Sequence, residues 1–296
     1  MGKSSRVQNA RLAQVRAEQA KAEQRRKLLI AGGTVGVVVL VVVGLVFAAL
    51  QGANKDVAGK AGSALDQASF AKLTNVPASA LDTVGAGSSS NPPRTIDAPA
   101  LTKDGKPRVL YVGAEFCPYC ASQRWPLVVA LSRFGTFNNL STTYSAPAPE
   151  PNPNTPTITF HGSTYTSQYL SFTAYETATN EKSNGNWKPL ETLSSEDQTL
   201  FSTYNAPPYT QTKGAIPWLD IAGTSIQEGA SWDATPILAM SHAQVVTALA
   251  DPSTPTGQGV LGTANVLTAQ ICKATGGQPA NVCTSAGVVA AAAKLQ

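Results

Sequence analysis

Residues Leu28 to Leu50 form 23 consecutive residues without a charge, and most of them are apolar. A helix of this length spans roughly 34 Å, enough to cross a hydrocarbon core of about 30 Å. The β-branched run Val37–Val43 is acceptable in a lipid-embedded helix, where backbone groups must pair internally. A cleaved signal peptide has a shorter apolar region of about 7–15 residues, although Ala48-Ala49 leaves room for cleavage. We therefore expect an uncleaved transmembrane helix over 28–50.

The charge distribution predicts the orientation of this helix. Residues 1–27 carry eight Lys or Arg against two Glu, whereas the remaining chain has 14 basic and 16 acidic residues. The positive-inside rule places the basic tail 1–27 in the cytoplasm and everything after Gln51 outside the membrane. Because the positive charge is confined to this tail, we expect no nucleic-acid partner.

The extracytoplasmic part divides by composition. Residues 51–100 are rich in Gly, Ala, Ser and Asn and predict a tether, interrupted by a short helix around 63–73. The remainder, 101–296, predicts one folded α/β domain. Residues 145–156 contain five prolines, and we expect an insertion over about 145–190.

Local patterns predict the elements of this domain. Strands are expected at 108–113, 140–144, 157–160 and 170–175, followed by a hairpin of 218–222 and 225–228 that turns at Gly223. Helices are expected from the residue after Cys117 to Phe134, with a kink or irregular turn at Pro126, and over 195–204, 242–250, 261–273 and 284–296.

The four cysteines form two pairs along the chain. Cys117 and Cys120 lie in Cys-Pro-Tyr-Cys, between a predicted strand and a predicted helix. At a helix N-terminus, free N–H groups and the helix dipole stabilise a thiolate, so Cys117 is expected to be the nucleophile. Cys120, one turn later, would resolve the mixed disulfide. The neighbouring Glu115 and Tyr119 are expected to modulate this pair.

Other interpretations of the cysteines stay open. Cys117 and Cys120 also suit an inert short-loop disulfide or a zinc site, but Cys272 and Cys283 are separated by ten residues and the chain has only two His. We therefore expect no metal and no cofactor. Cys272 and Cys283 flank a loop between two predicted helices and indicate a structural disulfide, or alternatively a second redox pair that relays electrons to Cys120. Arg124 is a candidate partner of Glu115 or of a substrate carboxylate.

Several runs resemble known redox proteins. Ala114-Glu115-Phe116-Cys117 is similar to the segment before the active site of thioredoxins, and Cys-Pro-Tyr-Cys is typical of glutaredoxins. Gly214-Ala215-Ile216-Pro217-Trp218-Leu219 resembles the thioredoxin segment whose proline is cis. This resemblance implies a thioredoxin-like fold, a central mixed sheet flanked by helices, in which Ile216 and Pro217 bind the extended substrate chain.

Longer stretches resemble a membrane-anchored bacterial and archaeal group described as domain of unknown function 929. The matching runs are 115–125, 130–137 and 271–283, and the resemblance covers roughly residues 75–285. It implies a fold and a site but no substrate. Thioredoxins carry a buried Asp where this chain has Tyr111, their helix proline falls one residue earlier, and the 145–190 insertion has no counterpart in them.

Two functions follow as hypotheses. The first is a single-pass, membrane-anchored thiol–disulfide oxidoreductase that acts outside the cytoplasm on protein disulfides or thiols, with a possible electron donor or acceptor in the membrane. The second is a non-catalytic interaction module that keeps the thioredoxin shape and binds a membrane or envelope partner through its insertion. The direction of electron transfer stays open at this stage.

Overall fold

The computed structural model describes residues 63–295. The predicted basic tail, the predicted membrane helix and the first residues of the predicted tether lie outside this range. No helix within residues 63–295 is long and apolar enough to cross a bilayer.

The elements are numbered in chain order. The strands are β1 (Arg94–Thr95), β2 (Thr102–Lys103), β3 (Lys106–Gly113), β4 (Gly135–Asn138), β5 (Ser141–Tyr144), β6 (Pro156–Thr159), β7 (Thr164–Ser167), β8 (Ser171–Glu176), β9 (Ala178–Ser183), β10 (Asn186–Pro189), β11 (Trp218–Ile221) and β12 (Ser225–Glu228). The helices are α1 (Gln67–Thr74), α2 (Ala78–Val84), α3 (Pro118–Ser132), α4 (Ser195–Tyr204), α5 (His242–Ala248), α6 (Pro255–Ala274), α7 (Ala280–Cys283) and α8 (Ala286–Ala292), with a 3₁₀ turn at Thr235–Ile237.

The centre of the fold is β3, whose last six residues are buried. It pairs in parallel with β8 and antiparallel with β11, and β12 and β1 extend the sheet beyond β11. Consecutive apolar residues in β3 suit a strand that is covered on both faces. The prediction of an α/β fold with a central mixed sheet and packed helices is confirmed.

The β11–β12 hairpin turns at Gly223, as predicted. This residue has a φ of +70°, and a Cβ atom there would lie 2.1 Å from the carbonyl oxygen of Pro99. Only glycine therefore fits the turn without displacing the backbone.

Helix α3 passes through Pro126 without ending, so the predicted irregularity does not divide it. Proline removes the N–H that would bond to the carbonyl four residues earlier, which belongs to Ser122. The indole Nε1 of Trp232 donates to that carbonyl at 2.9 Å. The lost helical bond is thus replaced by a side chain from outside the helix.

The boundary between tether and domain differs from the prediction. Residues of α1 and α2, within the predicted tether, contribute Leu73 and Leu81 to the main hydrophobic core. The side-chain amide of Asn265 in α6 donates to the carbonyls of Leu81 and Gly85, each at 2.8 Å. The packed region therefore includes residues between 65 and 100. Although this segment is rich in Gly and Ser, its few Leu and Val residues have helical spacing and pack into the core.

The predicted insertion is not separate from the core either. Residues 145–155 lack helix and strand, as expected, but β8 lies inside the 145–190 range and is a strand of the central sheet. Within the 145–190 range, only the segment before β8 and the β9–β10 hairpin after it lie outside the central sheet. The predicted disulfide between Cys272 and Cys283 is present and joins α6 to α7.

Candidate redox site

Cys117 is the N-cap residue of α3, with an extended backbone at φ −74° and ψ 120°. Its Sγ accepts a hydrogen bond from the backbone N–H of Cys120 at 3.2 Å, and Pro118 occupies the first helical turn. Neither Cys117 nor Cys120 is in a disulfide. Cys117 keeps 4% of its surface exposed, whereas Cys120 is fully buried. The first cysteine is therefore the one that solvent reaches.

The two thiols have opposite electrostatic environments. The pKa of Cys117 is lowered, first by the hydrogen bond from the Cys120 thiol and then by the N–H groups of Cys120 and Tyr119 and the charge of Arg124. Burial acts in the opposite direction and raises it. Burial raises the pKa of Cys120 well above its ordinary value, and its bond to Cys117 raises it further. The pair thus has one thiol suited to attack and one that stays protonated until it is needed.

The predicted substrate-binding residues lie against this pair. The Ile216–Pro217 peptide bond is cis, and the Cys117 Sγ lies 3.7 Å from the carbonyl oxygen of Ile216. The loop is held by Asn205, whose side-chain amide donates to Ala215 O at 2.8 Å, and by the N–H of Gly229, which donates to Pro217 O at 2.8 Å. The structure therefore places Ile216, next to the cis Pro217, beside Cys117, while their role in substrate binding stays a prediction.

The predicted modulators occupy different positions. Glu115 is half-buried, and its N–H donates to Ala178 O in β9 at 2.9 Å. Tyr119 is 50% exposed, one of the two large apolar side chains with high exposure in the described part of the chain. Tyr119 is thus open to solvent between the two cysteines.

Arg124 does not pair with Glu115, one of the two candidate partners considered from the sequence. It forms a two-point ion pair with Glu176 at the end of β8, through Nε to Oε1 at 2.8 Å and Nη2 to Oε2 at 2.6 Å. Both side chains have no exposed surface. Glu176 is the residue that sequence reasoning missed, because its approach to Arg124 depends on the parallel register of β8 with β3. An arginine as the only charged residue of this largely apolar helix was the signal for a buried acidic partner.

Tyr111, where the resemblance to thioredoxins implied an acidic residue, is fully buried behind the site. Its ring packs edge-on against Phe160 at 5.1 Å, and its hydroxyl has no hydrogen-bond partner among the described residues. The hydroxyl occupies the space above Gly113, where a Cβ atom would come within 2.2 Å of it. Tyr111 and Gly113 therefore fit each other.

The β9–β10 hairpin covers the loop before Cys117. The rings of Phe116 and Trp187 stack with centroids 4.6 Å apart and planes within 3° of parallel. The ammonium of Lys182 lies 4.2 Å from the centroid of the Trp187 ring and also pairs with Glu150 at 3.3 Å. Two stacked aromatic side chains thus hold the added hairpin against the residue that precedes Cys117.

The fold and the site together define an α/β protein that carries a free Cys-x-x-Cys pair at the N-terminus of a buried helix. No group of three or more metal-ligating side chains occurs among residues 63–295. The sequence model of a domain of unknown function, DUF929, matches residues 93–273, which is more than half of the chain. The chain belongs to this family. Searches of curated proteins and of solved structures each gave no match.

Proposed function

We propose that this protein is a membrane-anchored, extracytoplasmic thiol–disulfide oxidoreductase with a thioredoxin-like domain. The observation that carries the proposal is the asymmetry of the pair: Cys117 caps the N-terminus of α3, accepts the N–H of Cys120 at 3.2 Å and keeps 4% of its surface exposed, while Cys120 is fully buried. The lowered pKa of Cys117 and the raised pKa of Cys120 agree with this asymmetry. Zinc and structural disulfide pairs need no such difference between their two sulfurs.

The exchange chemistry follows from the positions of the two sulfurs. The Cys117 thiolate attacks one sulfur of a client disulfide, a Cys117–client disulfide forms, and the other client sulfur leaves as a thiolate. Cys120 then loses its proton and attacks the Cys117 Sγ, which forms the Cys117–Cys120 disulfide and releases the second client thiolate. The client gains two electrons and the pair loses two; the reverse sequence oxidises a client dithiol.

The arrangement around the pair supports a thioredoxin-like domain. A buried strand, β3, leads into the Cys-x-x-Cys and its helix, and the Ile216–Pro217 segment opens the adjacent antiparallel strand β11. The carbonyl of Ile216 faces the reactive sulfur, which is where an extended client backbone would have to pass. Ile216 and Pro217 are accordingly the residues proposed to guide the client.

The proposed location is supported by sequence. The uncharged run 28–50 is long enough to span a bilayer, and the basic residues precede it. Location is tested with Val289, whose side chain is 60% exposed. In a Cys117→Ser/Cys120→Ser background, Val289→Cys should react with a membrane-impermeant maleimide in intact cells. Labelling only after lysis would contradict the proposed orientation.

The function is tested by trapping. In Cys120→Ser cells, acid-quenched samples should contain mixed disulfides between Cys117 and client proteins that disappear on reduction. The Cys117→Ser/Cys120→Ser variant is the matched control and should contain none. If Cys120→Ser traps nothing beyond this control, the enzyme proposal fails and a non-catalytic interaction module becomes the better account.

A further inference from the structure

Arg124 and Glu176 lie directly beneath the reactive pair. Arg124 follows Cys120 by four residues, so the two side chains share one face of α3. The Nη2 of Arg124 donates to the carbonyl of Ala114 at 2.7 Å, and the N–H of Cys117 donates to the same carbonyl at 3.2 Å. A single backbone oxygen therefore links the buried guanidinium to the nucleophilic residue.

The remaining amino group of the guanidinium has no partner. Arg124 Nη1 is buried and makes no hydrogen bond to any described residue, and the same holds for the hydroxyl of Tyr111. A buried ion pair contributes little net stability, because desolvation offsets the attraction between its charges. An incompletely bonded cation is costlier still, which makes a purely structural role a poor explanation for it.

We propose that the Arg124–Glu176 pair stabilises the reduced form of the Cys117/Cys120 centre, and that the protein therefore acts as an oxidant of client dithiols. This inference rests on the proposed function and assigns its direction. Negative charge develops on sulfur only in the reduced state, since the Cys117–Cys120 disulfide is neutral. A cation held closer to the sulfurs than its counter-ion favours the reduced state and makes the disulfide a stronger oxidant.

The effects of Arg124 and Glu176 on the pKa values of the two cysteines agree with this proposal. The charge of Arg124 lowers the pKa of Cys117, and at Cys120 it opposes burial more strongly than Glu176 adds to it. Two other titratable groups face this site. Burial raises the pKa of Tyr111 well above its ordinary value, and the charge of Glu115 contributes to raising the pKa of Glu176. Of the two buried charges, the positive one therefore has the larger effect on Cys120.

The experiment measures the equilibrium constant between the full chain, purified in detergent, and a buffer of reduced and oxidised glutathione. Glu176→Gln removes the anion and keeps the cation, so we expect the disulfide to become about tenfold more oxidising, close to 30 mV. Arg124→Met/Glu176→Gln removes both charges, so we expect a change of similar size in the opposite direction. The pH titration of thiolate absorbance in the reduced protein should shift accordingly, to lower pH in the first variant and to higher pH in the second.

A second buried ion pair provides the matched control. Arg108 and Asp197 also form a two-point pair, at 2.7 and 2.8 Å, at the opposite end of β3. Arg108 lies five strand positions, about 17 Å, before Gly113, the β3 residue that pairs with Glu176. Arg108→Met/Asp197→Asn should therefore leave the equilibrium constant and the thiolate titration within twofold of the parent.

The outcomes separate the two proposals. If folded Glu176→Gln leaves both readouts unchanged, the ion pair is only a brace and the inference is overturned, while exchange by the parent would still support the proposed function. If the parent does not exchange with glutathione at all, the proposed function itself fails. Glu176→Gln leaves a buried guanidinium unpaired, whereas Arg124→Met/Glu176→Gln leaves no buried charge. If the single variant does not fold, the test therefore stands on the double variant, and unchanged readouts in the folded double variant would equally overturn the inference.

Discussion

The Sγ of Cys117 lies 3.7 Å from the carbonyl oxygen of Ile216, a residue 99 positions further along the chain. This contact joins the N-terminus of α3 to the segment that opens β11. It places a backbone acceptor beside the more exposed of two free thiols.

The two thiols should differ in reactivity toward iodoacetamide. In the reduced full chain, Cys117 should be alkylated with a midpoint below about pH 8.5, the value of an ordinary cysteine, because its thiolate is stabilised. Cys120 should stay unlabelled over the same range because it is buried with a raised pKa. Mass spectrometry of the labelled peptides across a pH series measures both. Faster labelling of Cys120 would reverse the assigned roles.

The hairpin beside the site should control access to Cys117. Trp187→Ala removes the ring that stacks on Phe116, so the β9–β10 hairpin should loosen and the alkylation rate of Cys117 should rise several-fold. Trp187→Phe keeps an aromatic ring and should stay near the parent rate. Equal rates in the parent and in Trp187→Ala would mean that the hairpin does not shield the thiol.

Tyr111→Phe should stabilise the protein. The hydroxyl is buried without a hydrogen-bond partner among residues 63–295, so its removal should raise the free energy of unfolding by about 1 kcal/mol. Tyr165→Phe is the matched control, since the Tyr165 hydroxyl donates to Leu131 O at 2.9 Å and its loss should cost about 1 kcal/mol. Denaturant unfolding of each variant measures the difference. A loss of stability in Tyr111→Phe would show that the hydroxyl is bonded after all.

Asp220 should make stability depend on pH. Burial raises its pKa to about 6, although the N–H of Gly223 donates to its carboxylate at 2.7 Å. Because the folded pKa exceeds the unfolded one, the contribution of Asp220 to stability is full below about pH 4 and is lost as the pH rises through about 6. Relative to the parent, Asp220→Asn should gain about 2 to 3 kcal/mol between pH 4 and pH 7.

The control for that comparison is Asp97→Asn, which changes an exposed carboxyl group in the same way. Unfolding free energies of the parent and both variants should be measured in denaturant at several pH values. A difference between Asp220→Asn and the parent that is constant over this range would refute the assignment.

Local sequence signals predicted much of the site. The buried strand before Cys117, the helix after Cys120, the glycine turn at Gly223 and the Cys272–Cys283 disulfide each depend on residues that are close in sequence or on a paired count of cysteines. Such signals act within a few residues, and the structure confirms these elements. These elements can therefore be predicted without knowledge of the tertiary contacts.

The remaining features depend on contacts between distant segments. Arg124 meets Glu176 only because β8 runs parallel to β3 and places Glu176 opposite Gly113. A short helix near α1 was predicted, but the burial of Leu73 and Leu81 was not, since it arises from the packing of α1 on α3 and α5 and of α2 on α6 and α8. Sequence spacing does not encode these registers, so the acidic partner and the domain boundary could not be predicted.

The central claim is that Cys117 is the attacking sulfur of a reversible redox pair. The most direct measurement is the intact mass of the reduced full chain after incubation with oxidised glutathione, compared between Cys120→Ser and Cys117→Ser. The account predicts one glutathione on Cys117 in Cys120→Ser and little or none on Cys120 in Cys117→Ser, with the parent instead forming the Cys117–Cys120 disulfide. Absence of an adduct on Cys117, or preferential modification of Cys120, would contradict it.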